Sequence, residues 1–148
     1  MSRPLYETKA NLDEELQVMQ TFAKRYGYSF KKIPIQYRMD FAVFRDKRML
    51  GLVEVRCRTF SWNKYSTLIM SMAKLMHMQT YSNMNIPVTL LLKNADGFWW
   101  WRYNPSGIEY FGWGGRFIGG NAKPRDDQDE EPVGHIHRNE FKEVDPSL

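Results

Sequence analysis

Apolar residues near the start of the chain recur every three or four positions, which is the spacing of one face of an α-helix. This pattern predicts a helix over residues 12–26, ended by Gly27. Asn11 is expected to cap its start, because Glu14 follows it at the spacing of a capping box. Glu15 falls inside the apolar stripe, where a carboxylate needs a structural or chemical reason.

A second helix is predicted to begin in the segment SWNKYS, with Ser61 or Asn63 as its cap, and to end near Asn83. Apolar residues again follow the helical period; they are Tyr65, Leu68, Ile69, Met72, Leu75 and Met76. The many methionines are typical of a soft interface between a helix and a sheet.

Segments with alternating or continuous apolar residues predict the strands of the protein. These strands cover residues 28–34, 37–44, 49–59, 86–93, 98–104 and 108–113, and a last short strand is expected at 132–137. The fourth of them is apolar almost throughout, as in a strand that is buried on both faces. The order α-β-β-β-α-β-β-β predicts an α/β fold in which helices pack against a mixed β-sheet.

The chain has the size of one domain, residues 1–148, with a glycine-rich and acidic loop expected at about 112–132. Five of the 17 acidic residues lie within 125–131, so the rest of the domain is basic, and the formal net charge is +4. A basic surface permits a polyanionic partner such as DNA.

The N-terminus lacks the apolar segment of a secretion signal, and no apolar run approaches the ~20 residues of a transmembrane helix. The sequence therefore predicts a soluble, cytoplasmic protein without a membrane partner. Cys57 is the single cysteine, so no internal disulfide can form. Because it falls on the apolar face of its strand, we expect a buried and inert thiol.

Two acidic residues stand at matching places in the second and third predicted strands. A hairpin folded about the turn at 45–48 pairs residues whose numbers add up to about 93 or 94, which puts Asp40 opposite Glu54 or the residue before it. Adjacent carboxylates repel unless a proton or a cation lies between them. The pair would therefore suit a hard divalent cation such as Mg²⁺, with Mn²⁺ as a substitute. The other interpretation is a strand pair in which Arg38 and Arg56 neutralise the carboxylates.

The sequence around these residues resembles the signature of the PD-(D/E)XK nuclease superfamily, which has the restriction-endonuclease-like fold. Asp40 precedes a turn, and the string Glu54-Val55-Arg56 follows it. The resemblance extends over residues 11–104 in the order of elements, and the strand end EVRCRT is similar to that of small phage-type and Holliday-junction-resolvase-like members. It implies metal-dependent hydrolysis of DNA phosphodiester bonds, either structure-selective or nonspecific.

The resemblance also implies roles for individual residues. Asp40 and Glu54 would bind the metal ion, which activates water and offsets charge on a phosphate. The Val55 carbonyl would add a ligand, and Glu15 of the first helix would bind the metal directly or through water. Arg56 stands where the family usually has lysine. Its guanidinium offers charge and paired hydrogen bonds to phosphate, but it cannot give up its proton at ordinary pH.

Arg58 and Lys64 are candidates to replace the missing lysine, and together with Lys32 and Arg38 they are expected to contact DNA phosphates. No segment is patterned to read base edges. Aromatic residues are concentrated in a hairpin at 99–113. Three interpretations are open for their rings: stacking on unpaired bases, an interface with a second copy or another protein, or packing against the C-terminal loop.

The alternative function is that of a catalytically degenerate member, which keeps the nuclease fold and binds DNA or protein as a component of a complex or a virus particle. Arg56 and the aromatic hairpin favour it. This alternative predicts a site without metal, whereas the enzyme predicts cleavage that is lost when Asp40 or Glu54 is replaced. A viral origin would place the protein in the host cytoplasm or in the virion.

Overall fold

A computed structural model describes residues 9–115 and 130–144 of the chain. The helices in these residues are α1 (Lys9–Tyr26) and α2 (Met72–Asn83), and neither is long and apolar enough to cross a membrane. The strands are β1 (Ser29–Lys32), β2 (Phe41–Arg45), β3 (Arg48–Cys57), β4 (Thr67–Ser71), β5 (Val88–Asn94), β6 (Gly97–Arg102), β7 (Ile108–Gly115), β8 (Glu130–His137) and β9 (Lys142–Glu143).

The described strands form two sheets. The larger sheet has the order β1-β2-β3-β5-β6-β9, and the smaller sheet has the order β4-β8-β7. Strand β3 pairs antiparallel with β2 and parallel with β5, so the larger sheet is mixed. Because helices pack against this sheet, the structure confirms the predicted α/β fold class.

Each face of the larger sheet is covered by a different helix. Val55 and Leu91 point toward α1 and share an apolar core with Met19. Leu90 points to the other face, into a second core with Leu75 of α2 and with residues of the smaller sheet. Strands β3 and β5 are therefore buried on both faces, as the continuous apolar run predicted for β5.

Helix α2 begins at Met72 rather than near Asn63, because β4 occupies part of the predicted helix. In β4 the side chains of Leu68 and Met70 are buried, whereas Ile69 between them is 49% exposed, which is a period of two. A short apolar run fits the strand period as well as the helical one, and pairing with β8 decides for the strand. The predicted helix is therefore wrong in its first part and confirmed in its second.

Helix α1 begins at Lys9, so Asn11 lies inside the helix and is not its cap, contrary to the prediction. Gly27 ends the helix as predicted, with a φ of 73° that glycine adopts without strain. The N–H of Tyr28 then donates to the carbonyl of Ala23 at 2.9 Å, which satisfies one of the last carbonyls of the helix.

The sequence predicted that β7 would continue the meander after β6. Instead, β7 pairs with β8 in the smaller sheet. Between β6 and β7 the chain turns at Gly107, where an added Cβ would lie 3.0 Å from the Trp101 indole nitrogen. Residues at both ends of the predicted loop at 112–132 belong to β7 and β8, and its middle, 116–129, lies outside the described residues. Phe141 is buried against the larger sheet.

Candidate active site

The hairpin of β2 and β3 has the register that the turn predicted. Phe41 lies opposite Val53 and Phe44 opposite Met49, so the paired residue numbers add up to 94 and 93. Asp40 stands immediately before β2 rather than within it, and its N–H donates to the carbonyl of Val53 at 3.1 Å. This hydrogen bond continues the ladder by one step and brings the Asp40 side chain to β3.

The Asp40 carboxylate is held by the backbone of β3, beyond the end of β2. Its Oδ2 accepts a hydrogen bond from the N–H of Val55 at 2.8 Å, and Nζ of Lys32 lies 3.4 Å from its Oδ1. The N–H and C=O of one residue in a strand point to the same side. The Val55 carbonyl therefore points away from β5, toward the side on which Asp40 lies.

Glu54 projects from β3 toward α2 and is only 1% exposed. Burial raises the pKa of Glu54; the charge of Arg56 lowers this pKa, and the charge of Asp40 raises it. The two carboxylates are thus close enough for one to oppose ionisation of the other, which is the proximity that the hairpin register predicted.

Both carboxylate oxygens of Glu54 have cationic partners. Arg56 Nη1 forms an ion pair with Oε2, and Nζ of Lys74 in α2 lies 3.3 Å from Oε1. Lys74 Nζ also donates to the backbone carbonyl of Arg38. These contacts offset part of the cost of burying a carboxylate. Of the two arginines that the ion-pair interpretation invoked, Arg56 binds Glu54 with its side chain, and Arg38 contributes its carbonyl oxygen to Lys74.

Lys74 is the residue at this site that the sequence did not predict. With a helix expected from about residue 63, Lys74 would lie in mid-helix with no reason to face the strands. Because α2 in fact begins at Met72, Lys74 lies in its first turn, and its N–H donates to the Ser71 hydroxyl at 3.0 Å. The signal that could have found it is the strand-like alternation over 67–71, followed by a serine that can cap a helix.

The segment that leads into Asp40 is fastened to α2. It contains a short 3₁₀-helix, Ile35–Tyr37, followed by Arg38 with a φ of 62°, a left-handed conformation that is uncommon for a residue other than glycine. The Tyr81 hydroxyl of α2 donates to the carbonyl of Tyr37 at 2.6 Å. Together with the bond from Lys74, this contact fixes the backbone two residues before Asp40.

Glu15 lies on α1, which covers the face of the sheet opposite to the one that Glu54 occupies. It is half-buried and close to Cys57, whose pKa is raised first by burial, then by Glu14 and least by Glu15. Within residues 9–115 and 130–144, no group of three or more His, Cys, Asp or Glu side chains is placed to hold a metal ion. The structure therefore brings Asp40 and Glu54 together without Glu15, whose role as a metal ligand stays a prediction.

The predicted DNA-contacting residues lie at the surface around this end of the sheet. Lys32 pairs with Asp40, and its side chain is 51% exposed. Arg58 follows β3, and partial burial and the charge of Arg56 lower its pKa. Arg38 is exposed; Lys64 is also exposed, with its Nζ 5.5 Å from the ring centroid of Tyr65. Their contact with DNA stays a prediction.

The aromatic residues of the predicted hairpin at 99–113 lie in two different environments. Trp101 is buried, and Trp99 stacks on Trp62 with ring centroids 4.4 Å apart. Phe141 meets Trp62 edge-on, so these rings pack against the segment that follows β8. The predicted packing against the C-terminal loop stays a prediction, because most of that loop lies outside the described residues. Trp113 belongs to β7 and is 70% exposed. For this ring, stacking on unpaired bases and contact with a protein both stay predictions.

Three oxygen-bearing groups near the end of β3 are of the type that binds a divalent cation. They are the Asp40 and Glu54 carboxylates and the Val55 carbonyl, whose oxygens are the ligand type that hard cations prefer. A cation between the two carboxylates would also relieve the repulsion that raises the pKa of Glu54. Ions such as Mg²⁺ keep several water ligands, so two carboxylates and one carbonyl are a sufficient protein contribution.

A solved structure with the same fold is that of Hjc from Archaeoglobus fulgidus, described as a Holliday junction resolvase from an archaeal hyperthermophile. It is 10% identical, with a TM-score of 0.52, and the match covers 89% of this chain and 90% of that chain. At such low identity this likeness concerns the fold alone.

No curated protein matches the sequence. The model of a protein family described as "Phage putative PDDEXK endonuclease" matches residues 1–144, which is nearly the whole chain. PDDEXK is the signature that Asp40, Glu54 and Arg56 resemble, with arginine in the position of the lysine. The protein therefore belongs to this family of phage PDDEXK endonucleases.

Proposed function

We propose that the protein is a Mg²⁺-dependent endonuclease that hydrolyses DNA phosphodiester bonds. It either selects its substrate by DNA structure or cuts DNA nonspecifically. The observation that carries this proposal is a pair of buried carboxylates at β3: Asp40, whose Oδ2 accepts the N–H of Val55, and Glu54, the residue before Val55. Membership in a nuclease family and the exposed cations around this end of the sheet support it.

Asp40, Glu54 and the Val55 carbonyl would hold the cation. When bound, a divalent cation polarises water and offsets the charge that builds on the phosphate. Arg56 is already oriented by its ion pair with Glu54 and can donate further N–H groups to a phosphate oxygen. Lys32 and Arg58 supply charge that attracts the DNA backbone irrespective of sequence.

The test is a cleavage assay on supercoiled, linear, single-stranded and branched DNA with Mg²⁺ or Mn²⁺. Asp40→Asn and Glu54→Gln keep the side-chain shape and remove the charge, and each is expected to lower the rate by about a hundredfold or more. Glu109→Gln, an exposed carboxylate of β7, is the matched control and should cut like the wild type. If the wild type cuts none of these substrates with either ion, the proposal fails.

The second candidate is a module that binds without cutting, and one observation favours it. Both oxygens of Glu54 already have a cationic partner, so the carboxylate is neutralised without a metal ion. This candidate predicts that the wild type binds neither Mn²⁺ nor Mg²⁺ in calorimetry and cuts no DNA. Cleavage by Arg56→Lys alone would show a site silenced by one residue.

A further inference from the structure

We propose that Lys74 of α2 is a catalytic residue of this nuclease, and that it contacts the scissile phosphate from the helix side of the site. The inference rests on the proposed function and assigns a role to a residue outside the Asp40 and Glu54-Val55-Arg56 signature. It also answers the question left by Arg56, which stands where the family usually has its lysine.

The position of Lys74 is fixed by two contacts. Its Nζ lies 3.3 Å from Oε1 of Glu54 and also donates to the carbonyl of Arg38. These contacts hold the ammonium group between β3 and the segment that leads into Asp40. The side chain is 17% exposed, so it is largely buried yet still accessible to solvent.

An ammonium group has three N–H donors. The contacts with Glu54 and Arg38 use two of the donors of Lys74. The third is left for an incoming group, and it starts from a nitrogen that already lies beside the carboxylate pair. A phosphate oxygen bound to a cation at Asp40 and Glu54 would therefore come within reach of Lys74.

Helix physics gives no reason for a lysine at this position. The first turn of a helix carries partial positive charge, so a cation there is unfavourable. The first turn of α2 contains no acidic residue, and Lys74 is its charged residue. What Lys74 gains at this position comes from outside the helix, from the buried Glu54 carboxylate and the Arg38 carbonyl.

The other cations near the site are less well placed for this role. Arg58 donates to the carbonyl of Cys57, and Lys64 lies over the ring of Tyr65. Arg56 touches Glu54 but carries a guanidinium, which is broader and more weakly hydrated than an ammonium. Lys74 alone combines the ammonium group with a described contact to Glu54.

The chemistry that Lys74 would assist is simple hydrolysis. The oxygen of a water molecule bonds to phosphorus, and the bond from phosphorus to one ester oxygen breaks. The leaving oxygen takes up one proton of the water, and the new phosphate monoester releases the other to solvent. Lys74 keeps its protons and donates an N–H to a nonbridging oxygen, where negative charge grows in the transition state.

The first test replaces the ammonium with an apolar chain of similar length. Lys74→Met is expected to cut the substrate that the wild type cuts about a hundredfold more slowly, mainly through kcat. Lys24→Met is the control, because Lys24 is an exposed lysine of α1, on the opposite face of the sheet. Thermal unfolding by circular dichroism shows that the variants are folded.

A second readout separates catalysis from a merely structural role. Removing Lys74 removes a positive charge beside Glu54, so Mn²⁺ binding measured by calorimetry without DNA should be as tight as in the wild type or tighter. If Lys74 only held the site in shape, Mn²⁺ binding would fall together with cleavage.

Chemical rescue provides the test that does not depend on the stability of one variant. In Lys74→Cys, 2-bromoethylamine converts the thiol to a lysine analogue, with bromide as the leaving group. Burial and Glu14 raise the pKa of the Cys57 thiol to about 11, so Cys57 should react slowly, and treated wild type serves as the control. The modified variant should regain most of the lost activity.

The outcomes distinguish this inference from the function on which it rests. A wild type that cuts no DNA overturns both. A wild type that cuts beside a Lys74→Met that cuts equally well overturns the role of Lys74 alone. So would a fully modified Lys74→Cys, verified by mass spectrometry, that stays inactive.

Discussion

At the scale of single residues, the site is governed by the cost of burying charge. Glu54 is nearly inaccessible to water, and burial and the charge of Asp40 both raise its pKa. The charges of Arg56 and Lys74 lower the pKa of Glu54. A cation bound beside Glu54 would favour its charged form and offset the charge of Asp40.

Cys57 permits a prediction at the same scale. Burial and the hydrogen bond to Glu14 raise the pKa of its thiol from 9.0 to about 11. The rate of alkylation by iodoacetamide should therefore keep rising with pH until about 11, unlike that of free cysteine. Because the folded pKa is the higher one, the neutral thiol stabilises the fold below pH 9.0, and this contribution is lost as the pH rises through about 11.

Glu14→Gln is the matched variant for this measurement. It removes one named cause and leaves burial in place, so the pKa of Cys57 should move part of the way back toward its ordinary value. A native thiol that already titrates at its ordinary value in the wild type would contradict the described environment of Cys57.

At the scale of elements, the start of α2 decides what reaches the Glu54 face. Strand β4 ends at Ser71, and the helix begins with the next residue. The Ser71 hydroxyl accepts the N–H of Lys74, so the cap that starts the helix also orients the turn that carries the lysine. A strand followed at once by a helix leaves little freedom in that turn.

Ser71→Ala is expected to lower the free energy of unfolding by about 1 kcal/mol, because it leaves a backbone donor of the first turn without its cap. Urea denaturation followed by circular dichroism measures this change. Ser82→Ala, near the other end of α2, is the control and should stay within about 0.5 kcal/mol of the wild type. Equal losses in both variants would argue against the cap.

The same element shows how far sequence reasoning reaches. The register of β2 and β3 follows from a local turn and strict alternation, so Asp40 and Glu54 could be placed together from the sequence. Strand β4 pairs with β8, whose residues lie far along the chain, and the sequence of 67–71 does not indicate this partner. A helix was therefore the natural prediction for its apolar run, and Lys74 was missed for the same reason.

At the scale of the whole molecule, the parallel pair β3 and β5 joins the two halves of the chain. The join is tight at Gly51, where an added Cβ would lie 2.5 Å from the carbonyl oxygen of Pro87. That carbonyl accepts the N–H of Leu52 at 2.9 Å, so it cannot move away without breaking a hydrogen bond.

Gly51→Ala should therefore destabilise the protein by about 1–3 kcal/mol, as overpacking against backbone does. Gly112→Ala is the control, since the nearest atom to its added Cβ is 3.6 Å away, an ordinary contact. Guanidinium denaturation compares the two variants. A Gly51→Ala protein as stable as the Gly112→Ala protein would contradict the close approach at Pro87.

The parallel pairing of β3 and β5 has a consequence for what can reach Glu54. Parallel neighbours cannot be joined by a tight turn, so the connecting chain must cross a face of the sheet, and here the crossover contains β4 and α2. The helix of the crossover packs on the face that carries Glu54. This topology thus gives the protein a second backbone position from which a cation reaches the same carboxylate. With Lys74 in the role proposed above, the site does not depend on a lysine at position 56, where arginine stands.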